Sequence, residues 1–312
     1  MSSSSDSSTP LIEAPKSKLP LVIGIVVVLA LVVAGLVFFL TRDDSGSGDQ
    51  ERVRIGVADA SEPYWDTFVD AAAEEGIDLV VENFTDYAQP NPALSEGELD
   101  VNQFQHLIYL ADYNVKNNDD LTPIGSTATY PLGLFSQKYD DPADIPAGET
   151  VVVPDDDTNQ ARGLLVLQAA GLIKLKDGGT PFSTVADVDT AASKVKVEAL
   201  QANLTPTSLP DVAAAIINND FVADAGLSFG DAIATDDPAD AAARPYVNVF
   251  VARAEDADDP TLQKLVDIYH GNEEILDGVR EASGGTAEIV DLSPEELQAT
   301  LEETEAQIRE GQ

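Results

Sequence analysis

From Leu19 to Leu40 the chain reads LPLVIGIVVVLALVVAGLVFFL, without a single charged or polar side chain. At ~1.5 Å of rise per residue, a helix of this length measures about 33 Å, which matches the ~30 Å hydrocarbon core of a bilayer. Such a run reads as a membrane span rather than a buried core helix. It is longer than the roughly 7–15 apolar residues of a cleaved signal peptide. It also ends in Phe38, Phe39 and Leu40 rather than at small residues. An uncleaved signal-anchor helix over 19–40 is therefore expected. Lys16 and Lys18 precede it, whereas Asp43 and Asp44 follow close after Arg42. The positive-inside bias then places residues 1–18, which open on the low-complexity MSSSSDSST, in the cytoplasm as a disordered N-terminus. The large remainder is placed outside the cell membrane, joined through a flexible linker over 41–51.

That remainder is strongly acidic. Across 312 residues there are 56 acidic and 17 basic side chains, a formal net charge of -39. A nucleic-acid binder needs a basic footprint, so that class is excluded. The acid is spread along the chain, which fits a solvated soluble surface and equally an adaptation to high salt. The chain has no cysteine. Disulfides, zinc–thiolate sites and thiol nucleophiles are absent with it. His106 and His270 are the only imidazoles. No metal site and no cofactor is expected.

From Val53 onward the pattern is α/β. VRIGVA reads as a strand, PYWDTFVDAAAEEG as an amphipathic helix closed by Gly76, and IDLVVENF as a second strand. Strand–helix–strand within about 30 residues predicts a βαβ unit and a parallel sheet. ETVVVP, NQARGLLVLQAAG and KVKVEAL repeat the strand–helix–strand theme. LPDVAAAIINN reads as a helix and PYVNVFVAR as a strand. Two helices follow, around Thr261–Tyr269 and Glu273–Ala282. Ser293 and Glu296 have capping-box spacing at the head of a last helix. Two α/β lobes with a ligand between them fit this layout.

Enzyme signatures are missing: no GxSxG, no HExxH, no P-loop and no dinucleotide fingerprint after a strand. Three segments carry positive information. Phe84–Leu110 combines Tyr87, Phe104 and His106 with Asn91, a Pro-rich turn and a helix. Such aromatics and one imidazole can line a pocket for an apolar side chain, or Phe104 can be core and His106 structural. In Val151–Gly178 a strand runs into DDDTN and a helix opens near Thr158 and Asn159, placing Arg162 on its first turn. Helix N-termini favour anions, and a guanidinium can clamp a carboxylate through two parallel hydrogen bonds. Pairing of Arg162 with Asp155, Asp156 or Asp157 is the alternative. Asn248 lies within an apparent strand, where asparagine is disfavoured and needs either an interstrand bond or a ligand. Asn218 is either a helix cap or a ligand contact.

FTDYAQPNPALSEGELDVNQFQH resembles a hallmark of the methionine-binding lipoprotein family (NlpA-type), the substrate-binding proteins of methionine ABC importers. TYPLGLFSQK, VPDDDTNQARGLLVLQAAGLIKLKDG, AIINNDF and PYVNVFVAR resemble further family motifs in the family's order, over roughly residues 53–282. The resemblance implies a type II periplasmic-binding-protein fold, with two lobes joined by two crossover strands, TYPLGLFS and the strand near PYVNVFV. Lobe one would then be 52–130 plus 246–312, and lobe two 131–245. By the same resemblance Arg162 holds a ligand α-carboxylate, Asn218 and Asn248 hold the amino-acid head group, and Tyr87, Phe104 and His106 surround the side-chain pocket. A thioether suits such a polarizable, aromatic surround.

The implied function is an extracytoplasmic receptor that is not an enzyme. It binds methionine and delivers it to an ABC permease and, through it, an ATPase. The same fold with D-methionine or a methionine-containing dipeptide, or a ligand-sensing surface protein, are the alternatives. Three departures from the family pattern stand out: no lipobox cysteine, Trp65 at the head of the first helix, and an acidic helical tail beyond Ala282.

Overall fold

The computed structural model describes residues 50–239 and 241–311. The predicted signal-anchor lies outside them. Among the described residues no helix is long and apolar enough to cross a membrane.

The first elements are β1 (Glu51–Val57), α1 (Tyr64–Glu74) and β2 (Ile77–Asn83). Tyr64, Trp65, Phe68 and Ala72 form the buried stripe of α1, recurring at helical spacing. β1 and β2 pair in parallel, as the strand–helix–strand pattern requires. Then follow α2 (Pro90–Ser95), β3 (Val101–His106), α3 (Leu107–Asn117), β4 (Thr122–Ser126) and β5 (Ala128–Thr129). The next group is β6 (Gly133–Phe135), β7 (Thr150–Pro154), α4 (Asp157–Ala169), β8 (Lys196–Leu200), α5 (Thr205–Ser208), β9 (Ala214–Ile217) and β10 (Ala234–Thr235). The chain finishes with β11 (Asn248–Ala252), α6 (Pro260–Gly271), α7 (Glu273–Ala282), β12 (Glu288–Ile289) and α8 (Pro294–Gly311).

Two five-stranded mixed sheets result, ordered β2-β1-β3-β11-β4 and β10-β6-β9-β7-β8, with β12 and β5 pairing separately. In the first, β11 runs antiparallel to both β3 and β4. In the second, β7 pairs in parallel with β8 and β9, while β6 runs antiparallel to β9. Strands of the first sheet come from both sides of those of the second, so the chain passes between sheets twice. The first passage follows β5; the second runs through the 3-10 turn Ala241–Tyr246 into β11.

Each sheet is covered by its own apolar core. Phe68, Phe250, Leu265 and Ile275 pack together on one face of the first sheet, and Leu107, Leu110, Val249 and Leu301 on the other. Val153, Leu164, Leu167 and Ile216 belong to the core of the second. A further cluster bridges the sheets, setting Tyr87 and Phe104 against Phe221 and Val222.

One expectation changes. LPDVAAAIINN is not a helix: after a turn, Ala214–Ile217 is β9, buried throughout between β7 and β6. Alanine favours helix on its own. A short apolar run inside a sheet nonetheless buries both faces as a strand, and periodicity alone cannot separate the two. VNQFQH is the fully buried strand β3, between the short helix α2 and α3. The capping box at the last helix does form: Glu296 N–H donates to Ser293 Oγ at 3.3 Å, and Ser293 N–H donates to Glu296 Oε2 at 3.2 Å. That helix, α8, buries Leu297, Leu301 and Ile308. Trp65 is core, with Nε1 donating to Asp59 Oδ1 at 2.9 Å.

Candidate functional site

Between the two sheets lies a narrow cavity, partly open to solvent, and Tyr87, Phe104, His106, Arg162, Asn218 and Asn248 all line it. The fold brings them together from distant stretches of chain. His106 ends β3 and caps α3, and Asn248 begins β11 directly opposite it in register. Arg162 stands on α4, and Asn218 follows β9.

Local structure sets the depth of Arg162. Asp156 caps α4 by accepting the Asn159 N–H at 2.9 Å. Gly163, next to Arg162, lies against the second sheet so closely that a methyl there would stand 3.3 Å from Ile216. The helix therefore sits low, and the Arg162 side chain is 7% exposed. Its partner is none of the three local aspartates. Nε donates to Asp236 Oδ2 at 2.6 Å, and Nη2 donates to the Tyr130 carbonyl at 2.7 Å. Asp236 is itself held, its Oδ1 accepting the Leu132 N–H at 2.7 Å. The Tyr246 ring lies 4.4 Å from the guanidinium carbon, a cation–π contact. Nη1 takes no part in either of these hydrogen bonds.

His106 has a defined tautomer. The Tyr109 N–H donates to Nδ1 at 3.2 Å, so Nε2 carries the hydrogen and donates it to Asn159 Oδ1 at 3.2 Å. Burial, reinforced by the charge of Arg162, pulls the imidazole down to about 3, so it is neutral at ordinary pH. Asn159 Oδ1 also accepts from Asn218 Nδ2 at 2.8 Å. That Asn218 contact replaces the expected cap: Asn218 precedes a 3-10 turn, yet its side chain makes no capping bond there. Asn218 Oδ1 and the Tyr246 hydroxyl are buried without a partner among the described residues. Unpaired buried polar atoms are rare and call for an explanation.

The apolar side of the cavity is aromatic. Tyr87 and Phe104 have ring centroids 5.8 Å apart, and Tyr109 meets Phe104 edge-on at 5.8 Å. The Tyr87 hydroxyl donates to Asp220 Oδ2 at 2.7 Å, linking the first sheet's side to the second's. Burial, with the nearby charge of Asp59, pushes the Asp220 carboxyl up to about 7. Asp59 and Asp220 also line a larger neighbouring cavity.

Asn159, Tyr246 and Asp236 complete the arrangement beyond the residues singled out by sequence. Asn159 had a signal, being one helical turn from Arg162 on the same face. Tyr246 had a weaker one, two residues before Asn248. Asp236 had none, as one carboxylate among 56.

Chemically, the cavity offers guanidinium donors, an orphaned carbonyl acceptor and an apolar aromatic wall. The D-methionine-binding lipoprotein MetQ of Escherichia coli is 35% identical over 230 residues, covering 72% of this chain and 83% of that protein. The substrate binding protein of a methionine transporter from Streptococcus pneumoniae superposes with a TM-score of 0.71 at 33% identity, covering 77% of this chain and 95% of that one. A nutrient binding protein from Burkholderia cenocepacia bound to methionine superposes with a TM-score of 0.70 at 34% identity, covering 76% and 99%. The two mixed sheets make a periplasmic-binding-protein-like α/β fold. With the NlpA lipoprotein family profile matching residues 53–288, and relatives this similar over most of their length, the chain belongs to the NlpA lipoprotein family.

Proposed function

We propose that this chain is the extracytoplasmic solute-binding component of a methionine ABC importer, receiving methionine between its two sheets and handing it to a membrane permease driven by an ATPase. One observation carries this reading: Arg162, whose Nη1 makes no hydrogen bond among the described residues, and the orphaned Asn218 Oδ1 line the same aromatic cavity. A zwitterion needs a cationic donor for its carboxylate and acceptors for its ammonium, and both must be satisfied once water is lost. Tyr87, Phe104 and His106 then surround the thioether, and Asn248 completes the head-group contacts. The fold works as a type II binding protein, its lobes (52–130 plus 246–312, and 131–245) closing about the two crossings as a hinge. Calorimetric titration against the twenty amino acids and D-methionine tests this. One enantiomer of methionine should bind far more tightly than any other amino acid. Binding of none, by a folded protein, would sink it.

Anchoring departs from the family's name. Without any cysteine the chain has no thiol to carry a lipid, so we assign anchoring to the span 19–40, with the binding domain outside. Protease added to intact protoplasts should release the domain. Mass spectrometry should find no lipid adduct and an N-terminus that still includes residues 19–40. A domain protected in intact protoplasts, or a mature chain beginning after Leu40, would overturn the assignment.

A further inference from the structure

The charge on a cavity wall limits the charge of what can enter it. Among the described residues lining this cavity, Arg162 alone carries a formal charge at neutral pH, since the His106 imidazole is neutral. Asp236 balances it from behind, at 2.6 Å from Nε. The Arg162–Asp236 pair thus carries no net charge. A zwitterion adds no net charge to it, whereas an anion of the same shape adds one uncompensated negative charge in a desolvated place.

We propose that Asp236 is a specificity-determining residue that makes the cavity select zwitterionic ligands over anions of the same shape. This rests on the amino-acid reading of the site given above. Asp236 stands behind the lining residues rather than in the ligand's place. One of its oxygens holds Nε, and the other accepts the N–H of Leu132, in the passage between the sheets that also supplies the Tyr130 carbonyl to Nη2. The Nε edge is therefore spent on the protein, and a ligand carboxylate meets the Nη1 side. Asp236 holds the guanidinium in that orientation while cancelling its charge. Selection follows from both effects: the fork is aimed, and it has no spare positive charge to reward a bare anion.

The test compares methionine with 2-hydroxy-4-(methylthio)butanoate, which keeps the carboxylate and the thioether but replaces the ammonium by a hydroxyl. Both are titrated into wild type and Asp236→Asn. The wild type should prefer methionine by more than tenfold. Asp236→Asn leaves a net positive site, so methionine should weaken about tenfold while the preference shifts at least tenfold toward the hydroxy acid. A merely structural role would weaken both ligands together and leave the ratio unmoved, which overturns the proposal. Tighter methionine binding in Asp236→Asn also overturns it, because Asp236 would then be a stand-in for the ligand carboxylate. If that variant does not fold, the same ratio is read in Asp236→Ser: a shift of at least tenfold toward the hydroxy acid supports the proposal, and an unmoved ratio overturns it. A wild type that binds neither ligand overturns the importer reading, and this proposal with it. A wild type that binds methionine with an unmoved ratio overturns this proposal alone.

Discussion

The His106 Nε2–H donates to Asn159 Oδ1 at 3.2 Å, joining the cap of a helix on the first sheet to the first turn of a helix on the second. One imidazole thus caps α3 through Nδ1 and ties the two halves of the cavity together through Nε2. His106→Ala should weaken methionine binding about tenfold and, by removing a cap, lower stability by about 1 kcal/mol. Because the folded protein holds the imidazole near 3, it excludes a proton that the unfolded chain takes up below ~6.5. This contribution to stability is complete above ~6.5 and is lost as pH falls toward 3. The His106 ring resonances should be flat between pH 5 and 8; titration near pH 6.5 would contradict its burial.

Arg162→Ala removes one partner of a buried charge pair and leaves Asp236 with its charge unbalanced. Ligand affinity should fall by ~2–5 kcal/mol, roughly thirtyfold to several thousandfold. Arg162→Lys should recover only part, since a point charge cannot reproduce the fork. Methionine amide should bind wild type poorly. Affinity within about threefold of wild type, in a folded Arg162→Ala, would mean that the carboxylate is held elsewhere.

The Asp220 carboxyl, pushed up to about 7 by burial and the charge of Asp59, accepts from Tyr87 between the two sheets. A raised acid keeps its proton when folded after the unfolded chain has lost it. Stability therefore falls as pH rises from about 4 to about 7. Asp220→Asn should flatten this limb of the stability–pH curve in chemical denaturation. An identical slope in the variant would show that Asp220 ionises as freely in the fold as in the unfolded chain.

The tail beyond Ala282 is part of the core. Leu301 on α8 is 2% exposed and packs with Leu107 and Leu110 of α3. Asn114 Nδ2 on α3 also donates to Glu305 Oε1 on α8 at 3.1 Å. Leu301→Ala should lower unfolding free energy by about 2–5 kcal/mol, with no direct effect on the cavity. A loss below about 0.5 kcal/mol would mean that α8 is an appendage.

The sequence by itself determined the class of the molecule. The apolar run 19–40 and the alternation of strand and helix patterns follow from local periodicity, which needs no tertiary information. The family motifs let six residues be named as one group, and the fold gathers them around one cavity. Tertiary structure decided what periodicity cannot express. Ala214–Ile217 became a strand because its neighbours β6 and β7 bury both faces, overriding alanine's helical preference. Arg162 passed over three nearby aspartates for Asp236, 74 positions away, because the backbone of α4 carries its side chain inward toward the passage between the sheets. No local pattern distinguishes Asp236 from the other carboxylates. Only the folded chain brings it to 2.6 Å from a guanidinium in a desolvated place, where a surface charge becomes a partner that matters.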